Sequence, residues 1–285
     1  MAVPEAVAMP EPAPLSRRLA AECLGTAVLV AGGPGAATAV GILAANTGTG
    51  VTEAEWVGIG LAHALALGGA IYMFGAISGG HINPAVTIAL ASMRRFPWSD
   101  VVPYIVAQLV GGFLGALAIV TYFGKAGATI GHLGATAPAP GVPYARAMLA
   151  EAVGTFILMM IIMALAVDKR APAGWAGLMI GLVLGGVIMA LGPATGASLN
   201  PARTFGPYLG DSFFGGPNLW KYLPIYLVGP IVGATVAAFS YAAIAGLRTY
   251  PHMDIALHRH GMEPPATTPR ARAPRGRIWR IKIAH

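Results

Sequence analysis

Two ten-residue stretches decide the fold: SGGHINPAVT at 78–87 and its weaker echo, TGASLNPART, at 195–204. Each is a turn of small residues that runs into Asn-Pro-Ala. Asn is among the best N-cap residues, and Pro is favoured at the first helical position because its missing N–H would have no partner there. Each Asn-Pro pair therefore predicts the start of a helix, at Asn83 and at Asn200.

Both predicted starts lie inside apolar sequence. The chain is 56% hydrophobic and 10% charged, against roughly 25% charged in a soluble domain. The windows 56–93 and 171–202 contain no Asp, Glu, Lys or Arg, and both are too long for one spanning helix of about 20 residues. The surplus predicts re-entrant half-helices at about 83–93 and 200–209. Since non-helical backbone at membrane depth must be buried in protein or line a wet cavity, the pattern indicates a pore or transport pathway.

Six segments have the length and composition of membrane spans. They lie near 18–44, 56–77, 101–123, 145–167, 173–192 and 221–246. With six spans, fourteen of the 18 Lys and Arg residues fall on one side of the membrane. The positive-inside rule then predicts a multi-pass protein of the cell membrane, plasma or inner, with both termini in the cytoplasm.

The two ends of the chain have a different composition. Residues 1–16 contain four prolines and two glutamates without an apolar run, which predicts a disordered tail and not a signal peptide. Residues 248–285 contain eight Lys and Arg residues against Asp254 and Glu263. We expect a basic disordered tail there, and attraction to anionic lipid head groups is the alternative interpretation.

An internal repeat divides the region 17–247 into halves at about 17–123 and 145–247. AECLGT at 21–26 resembles AEAVGT at 150–155, and each opens a span that is followed by its own Asn-Pro-Ala. Three spans separate the copies, so the second half is inverted and the half-helices enter from opposite faces. The glutamates are 129 residues apart and the asparagines 117. The first half thus carries about a dozen extra residues, which we place in its first loop.

Over 17–247 the chain resembles the aquaporin, or major intrinsic protein, family. Two Asn-Pro-Ala motifs, an Arg directly after the second, and an A-E-x-x-G-T span before each form a specific combination. The resemblance implies an all-α membrane protein with the aquaporin-like fold, in which six transmembrane helices and two re-entrant half-helices surround a pore. It also implies a homotetramer in the lipid bilayer that passes water and small neutral solutes such as glycerol, urea, ammonia or hydrogen peroxide.

The predicted pore centre can also be argued from its chemistry. The pore motifs are Asn83, Pro84 and Ala85, and Asn200, Pro201 and Ala202. Each half-helix brings the positive end of its macrodipole to mid-membrane, where two such ends repel cations. The two Asn amides can donate to a passing oxygen and so interrupt a proton-conducting chain of waters, as in the aquaporin mechanism of half-helix ends and Arg.

Arg203 is predicted to line the pore, because an Arg in a membrane is costly and normally faces water or a partner. An Arg that snorkels to the interface is the alternative. By the resemblance, His63, Ile188 and Ala197 complete a four-residue selectivity constriction. His63 and Ile188 replace the aromatic residue and the His of typical water-selective members, which leaves the solute range open. A buried neutral His bonded to a backbone carbonyl is the alternative for His63.

Three further polar residues are assigned by position. His81, two residues before Asn83, is expected in the inner vestibule. Glu22 and Glu151 could carry protons, since intramembrane carboxylates are functional by default. Their repetition favours another task, which is to accept the free N–H groups of the re-entrant loops.

Other classes of protein remain as alternatives. A glycerol facilitator with little water preference fits most of the same features. A coupled secondary transporter would need an ion site or titrating pair at mid-membrane. The lone Cys23 excludes an intrachain disulfide and a cysteine-rich metal site. The sequence shows neither a nucleophile triad nor an HExxH motif that would indicate an enzyme. We therefore expect no enzymatic activity, metal, cofactor or nucleic-acid partner.

Overall fold

The computed structural model describes residues 13–247, and helices dominate that range. In chain order they are α1 (Leu15–Thr47), α2 (Glu53–Ser78), α3 (Pro84–Ser92), α4 (Trp98–Phe123), α5 (Lys125–Thr129), α6 (Tyr144–Ile162), α7 (Ala176–Thr195), α8 (Pro201–Phe214) and α9 (Leu223–Ala245). Six of these segments are long and apolar enough to cross a membrane, α6 being extended by a π-helical turn at Met163–Val167. The six predicted spans are confirmed. The predicted tails lie outside the described residues, except that α1 begins inside the stretch 1–16.

The two predicted helix starts are also confirmed. The Asn83 side chain caps α3 by accepting a hydrogen bond from the N–H of Ala85, and Asn200 caps α8 in the same way, with Pro at the first helical position of both. Since the cap and the proline act within three residues of sequence, local chemistry is sufficient to place these starts.

The predicted end of the second half-helix, near 209, is wrong. α8 continues to Phe214 and ends at Gly215, which has the left-handed conformation of a helix cap. Packing explains the extension. Gly206 lies so close to α4 that a β-carbon on it would stand 2.2 Å from the carbonyl oxygen of Gly112. Contact of this kind outweighs the weak helix propensity of Gly206, Pro207 and Gly210.

The extra residues of the first half do not lie in its first loop. That loop, 48–52, is shorter than the corresponding connection at 168–175. The additional length is helical, because α1 has 33 residues where Tyr144–Val167 has 24, and α2 has 26 where α7 has 20. Sequence spacing cannot distinguish a longer helix from a longer loop when both are apolar.

The two halves interlock through their half-helices. α3 packs against α9 of the second half, and α8 packs against α4 of the first, while α2 and α7 pair across the junction. Glycines allow these and the neighbouring helices to approach closely. A β-carbon on Gly111 would stand 2.1 Å from the carbonyl oxygen of Cys23, and one on Gly233 would stand 2.0 Å from that of Ala152. The small-residue faces of α4 and α9 therefore set the crossings with α1 and α6.

Candidate functional site

The turn before each half-helix contains a residue in a left-handed backbone conformation. Ile82 has a φ of 54° and Leu199 a φ of 56°. For a residue with a side chain this conformation costs on the order of 1–3 kcal/mol, and it persists only where the surroundings hold it. Two buried carboxylates provide the contacts that hold these turns.

Glu22 of α1 binds the first turn. Its carboxylate accepts hydrogen bonds from the backbone N–H groups of His81 and Ile82, at 2.9 and 2.6 Å. It also accepts from the hydroxyl of Ser78 and the side-chain amide of Gln108, both at 2.7 Å. Four donors therefore converge on one fully buried carboxylate, which is the condition under which a buried charge is tolerated.

Glu151 of α6 binds the second turn in the same way. It accepts from the N–H groups of Ser198 and Leu199, at 3.0 and 2.8 Å, and from the hydroxyl of Thr195 at 2.7 Å. Like Glu22, it is fully buried. The repeated glutamates thus occupy equivalent places behind the two turns.

Asn83 and Asn200 each bind the loop of the opposite half-helix. The side-chain nitrogen of Asn83 donates to the carbonyl oxygen of Leu199, and that of Asn200 donates to the carbonyl oxygen of Ile82, both at 2.8 Å. Each side-chain oxygen accepts from its own helix, at Ala85 or Ala202. Since a side-chain amide carries two hydrogens, each Asn retains one for another acceptor. The tips of the half-helices are therefore in direct contact.

A cavity of about 310 Å³ lies beside these tips, and both asparagines line it. It follows one face of α2 from His63 through Leu67 and Ile71, one helical turn apart, to the turn at Gly79. Apolar side chains of α6 and α7 line the facing wall. These side chains are Leu158 and Ile162 of α6, Ala166 of the π-helical turn that follows it, and Ile180 and Leu184 of α7. The cavity is thus mostly apolar, with its polar groups concentrated at the Asn pair and at its two ends.

Arg203 and His63 lie together at one end of this cavity. The Arg203 guanidinium donates to the carbonyl oxygen of Gly134 through Nη1, at 2.8 Å, and its Nη2 lies 3.3 Å from Nε2 of His63. Nδ1 of His63 lies 2.8 Å from the carbonyl oxygen of Ile59. That carbonyl can only accept, so Nδ1 carries the hydrogen and Nε2 of a neutral ring accepts from Arg203. His63 is therefore a buried ring bonded to a backbone carbonyl, as the alternative interpretation has it, and at the same time it lines the cavity.

Ile188 and Ala197 are not among the residues that line the cavity. Both are buried and belong to one apolar cluster that includes Leu29 and Ile82. Ile188 lies one turn beyond Leu184 on α7. Because Gly60 of α2 pairs with Gly185 and Gly68 with Gly177, Ile188 lies towards the His63 end. Their role in a constriction stays a prediction.

His81 lies towards the other end and lines the cavity. Its ring packs on Phe96 and Tyr104, with ring centroids 4.7 and 5.3 Å apart, and its Nδ1 lies 3.1 Å from the hydroxyl of Thr87. The corresponding residue of the second turn, Ser198, contacts the hydroxyl of Thr204. The two Thr residues therefore brace their turns in the same way.

Several residues of the site were missed by sequence reasoning. Thr87 and Thr204 each stand four residues after their Asn, and Ser78 and Thr195 five before it, so this signal was present in the two stretches quoted at the outset. Tyr104 and Tyr226 donate to the carbonyl oxygens of Ser78 and Thr195. Nothing in the sequence around Gly134 indicates that its carbonyl oxygen accepts a hydrogen bond from Arg203. Within residues 13–247, no three His, Cys, Asp or Glu side chains are grouped as metal ligands.

Six spanning helices, an inverted repeat and two half-helices in contact at their tips define a multi-pass membrane protein of the aquaporin-like fold. The family model described as "Major intrinsic protein" matches residues 11–241. The chain therefore belongs to the major intrinsic protein family, a non-enzymatic class of channels that pass water and small neutral solutes. This confirms the family predicted from the two Asn-Pro-Ala motifs.

Known relatives agree with this assignment. The chain is 55% identical over 241 residues to "Probable aquaporin AqpM" of Archaeoglobus fulgidus, covering 81% of this chain and 98% of that protein. It is 40% identical over 245 residues to "Aquaglyceroporin-2" of Rhizophagus irregularis, covering 79% and 75%. Among solved structures, the X-ray structure of the aquaglyceroporin from Plasmodium falciparum superposes with a TM-score of 0.70 at 28% identity, covering 81% of this chain and 97% of that one.

Proposed function

We propose that this protein is a passive channel for water and small neutral solutes that excludes protons and ions. One observation carries the proposal. After each Asn amide has donated to the opposite loop, it retains one N–H beside a cavity whose far end is lined by Arg203. Two fixed donors at one point turn a passing water so that its hydrogens face outward, which interrupts proton transfer along the water chain.

Ion exclusion in this proposal has two sources. The N-termini of α3 and α8 meet at the Asn pair, and each contributes a partial positive charge of roughly half an elementary charge. Arg203 adds a full charge at the constriction, where His63 and Gly134 supply neutral acceptors. A cation would meet positive potential at both points, whereas a neutral solute would find donors for its oxygen atoms.

We assign the constriction to His63, Ile188, Ala197 and Arg203. Ile188 places an apolar side chain where typical water-selective members have His, so the opening should admit small neutral organic solutes as well as water. The name of one relative favours the same range of solutes. "Glycerol uptake facilitator protein-like 6" of Lactiplantibacillus plantarum is 37% identical to this chain over 223 residues. Glycerol is accordingly the second candidate substrate beside water.

Glu22 and Glu151 are proposed to hold the loops and not to carry protons. Each carboxylate accepts three or more hydrogen bonds, two of them from the turn's backbone N–H groups. These hydrogen bonds engage both oxygens of each carboxylate with groups of its own turn or of the surrounding helices, so each glutamate is committed to holding a loop. This argument also weighs against the alternative of a proton-coupled transporter.

The proposed setting is the cell membrane, with both termini in the cytoplasm and four copies per assembly. Basic residues support this orientation, since Arg94, Arg95, Lys169 and Arg170 all lie in the connections after α3 and α6, on the side where α1 begins and α9 ends. Large apolar side chains face outward along the spans, including Leu65, Val102 and Ile244, as lipid or neighbouring copies require.

The test is stopped-flow light scattering on vesicles that contain the purified protein. Water, glycerol, urea and ammonia fluxes should each be compared with those of protein-free vesicles, and proton flux should be followed with a pH-sensitive dye. We expect faster water flux, faster flux of at least one of the neutral solutes, and proton flux equal to that of empty vesicles. Water and solute fluxes no faster than in empty vesicles would contradict the proposal. A flux that requires an ion gradient would identify a coupled transporter.

A further inference from the structure

Gly33 of α1 lies directly against the ring of His63. A β-carbon on residue 33 would stand 2.4 Å from Cδ2, 2.6 Å from Cγ and 2.7 Å from Nε2 of that ring. Non-bonded carbon atoms prefer separations of about 3.5–4.0 Å, so any side chain at this position would overlap the imidazole. The ring of His63 thus occupies the space that a side chain of α1 would otherwise fill.

The ring is also fixed on its other sides. Nδ1 is bound to the carbonyl oxygen of Ile59, and Nε2 faces Arg203, as described above. His63 is 2% exposed, and the open space beside it is the cavity that it lines. A group added behind the ring would therefore displace it towards the cavity.

The same segment of α1 also contacts the residue that accepts a hydrogen bond from Arg203. The carbonyl of the next residue, Pro34, lies close to Gly134, because a β-carbon on Gly134 would stand 2.2 Å from the Pro34 carbonyl oxygen. Gly134 is the residue whose own carbonyl oxygen receives Arg203. The two-residue segment Gly33-Pro34 therefore supports both His63 and, through Gly134, Arg203.

We propose that Gly33 is a specificity-determining position: by carrying no side chain it lets the His63 ring lie back against α1, and this sets the width of the passage beside Arg203. The inference rests on the proposed channel function and deepens it. A wider passage admits solutes larger than water, so the identity of residue 33 controls solute range through a side chain on another helix.

The experiment is Gly33→Ala, measured for glycerol and water in the same vesicles. We expect glycerol flux to fall about fivefold or more, and water flux to fall less. The added methyl group cannot be absorbed by the close-packed residues around it, so it pushes the His63 ring into the passage. A small rise in the free-energy barrier for glycerol then gives a large fall in its rate of passage. Gly35→Ala is the matched control. A β-carbon there would meet Cγ1 of Ile119 at 3.7 Å, an ordinary contact, so both fluxes should stay as in the unmodified protein.

Removal of the ring isolates the mechanism. In a His63→Ala background, adding Gly33→Ala should change the glycerol-to-water ratio no further. An equal loss with and without the ring would overturn the proposal, and so would an unchanged ratio in the single Gly33→Ala variant. If that single variant fails to assemble while the double variant folds, the overlap with His63 is supported. If neither folds, Gly33 serves helix packing and the proposal is wrong.

The outcome for the unmodified protein separates this inference from the one on which it rests. If unmodified vesicles conduct neither water nor glycerol, the channel function itself fails. If they conduct and Gly33→Ala leaves the glycerol-to-water ratio unchanged, only the inference about Gly33 fails.

Discussion

Arg203 is a buried cation whose two acceptors are both neutral. It is 3% exposed, and its guanidinium is shared between the carbonyl of Gly134 and the ring of His63. These neutral acceptors bind Nη1 and Nη2 without cancelling the charge as a carboxylate ion pair would. The arrangement suits a residue that must stay positive and keep donors available, which is the role proposed for it.

Replacing Arg203 with Val should widen the passage and weaken ion exclusion. We expect Arg203→Val to raise glycerol flux and to permit a measurable proton leak, because the charge and the donors are both lost. The carbonyl of Gly134 also loses its partner, which should cost about 1–3 kcal/mol of stability. The measurements are vesicle fluxes and a thermal melt in detergent. Arg146→Val, at an exposed position of α6, is the control, and unchanged fluxes in Arg203→Val would place Arg203 outside the pore.

Ile188 provides a second test at this scale. Ile188→His would add a polar group near the His63 end of the cavity, so the glycerol-to-water flux ratio should fall by about tenfold or more, since tenfold is the lower end of the discrimination that one pocket contact commonly provides. Ile180→Leu, on the cavity-lining face of the same helix, keeps an apolar wall and should leave the ratio near its original value. An unaltered ratio in Ile188→His would remove Ile188 from the constriction.

At the scale of elements, the two half-helices are held from behind and joined at their tips. Each turn has a strained residue whose N–H is bound by a glutamate of the same half and whose carbonyl is bound by the Asn of the other half. For Ile82 these partners are Glu22 and Asn200, and for Leu199 they are Glu151 and Asn83. Loss of one partner should therefore disturb both half-helices together.

Glu151→Gln tests this dependence. A Gln side chain has one acceptor oxygen, so the donors that now divide between two oxygens cannot all be satisfied, and an N–H left without an acceptor costs about 1–3 kcal/mol. We expect a lower melting temperature and reduced water flux. Glu53→Gln, at the exposed start of α2, should change neither. A melting temperature equal to that of the unmodified protein would show that Glu151 does not support the turn.

At the scale of the described molecule, a polar tie joins the connection after α6 to the end of α9. Asp168 accepts from the backbone N–H and the side chain of Arg170 and from the hydroxyl of Tyr241, while Arg170 also donates to the carbonyl oxygen of Ala245. The hydrogen bonds from Arg170 hold the pKa of the Asp168 carboxyl well below its ordinary value of 3.8. The ends of the two helices are thus fixed by a group that stays charged at neutral pH.

The sign of the pH dependence follows from that direction. A carboxyl whose pKa is lowered by folding contributes stability that is present above its unfolded pKa and is lost as the pH falls through its folded pKa. Asp168→Asn should therefore lower the melting temperature by the same amount from about pH 5 to pH 8, and the difference should shrink only below about pH 4. Lys169→Gln, beside it and exposed, is the control. A difference that changes between pH 5 and 8 would contradict this assignment.

Much of this architecture follows from features that are local in sequence. Spans were predictable because charge-free length is itself the requirement for crossing a bilayer. Asn83 and Asn200 could be recognised as helix starts because the cap bonds N–H groups two and three residues away. The ends of elements were less accessible, since α8 extends to Phe214 through packing of Gly206 on α4, which no local signal encodes.

The sequence by itself determined the number of spans, the inversion of the halves and the positions of the two half-helix starts. Apolar length is a property of one continuous segment of about 20 residues, and capping acts within one turn of helix. Only the tertiary structure decided which groups meet. The bond from Asn83 to the carbonyl of Leu199 joins residues 116 positions apart, and the Gly33 that accommodates His63 lies on a different helix. Contacts of this kind depend on close packing between helices, and pattern along the chain does not specify them.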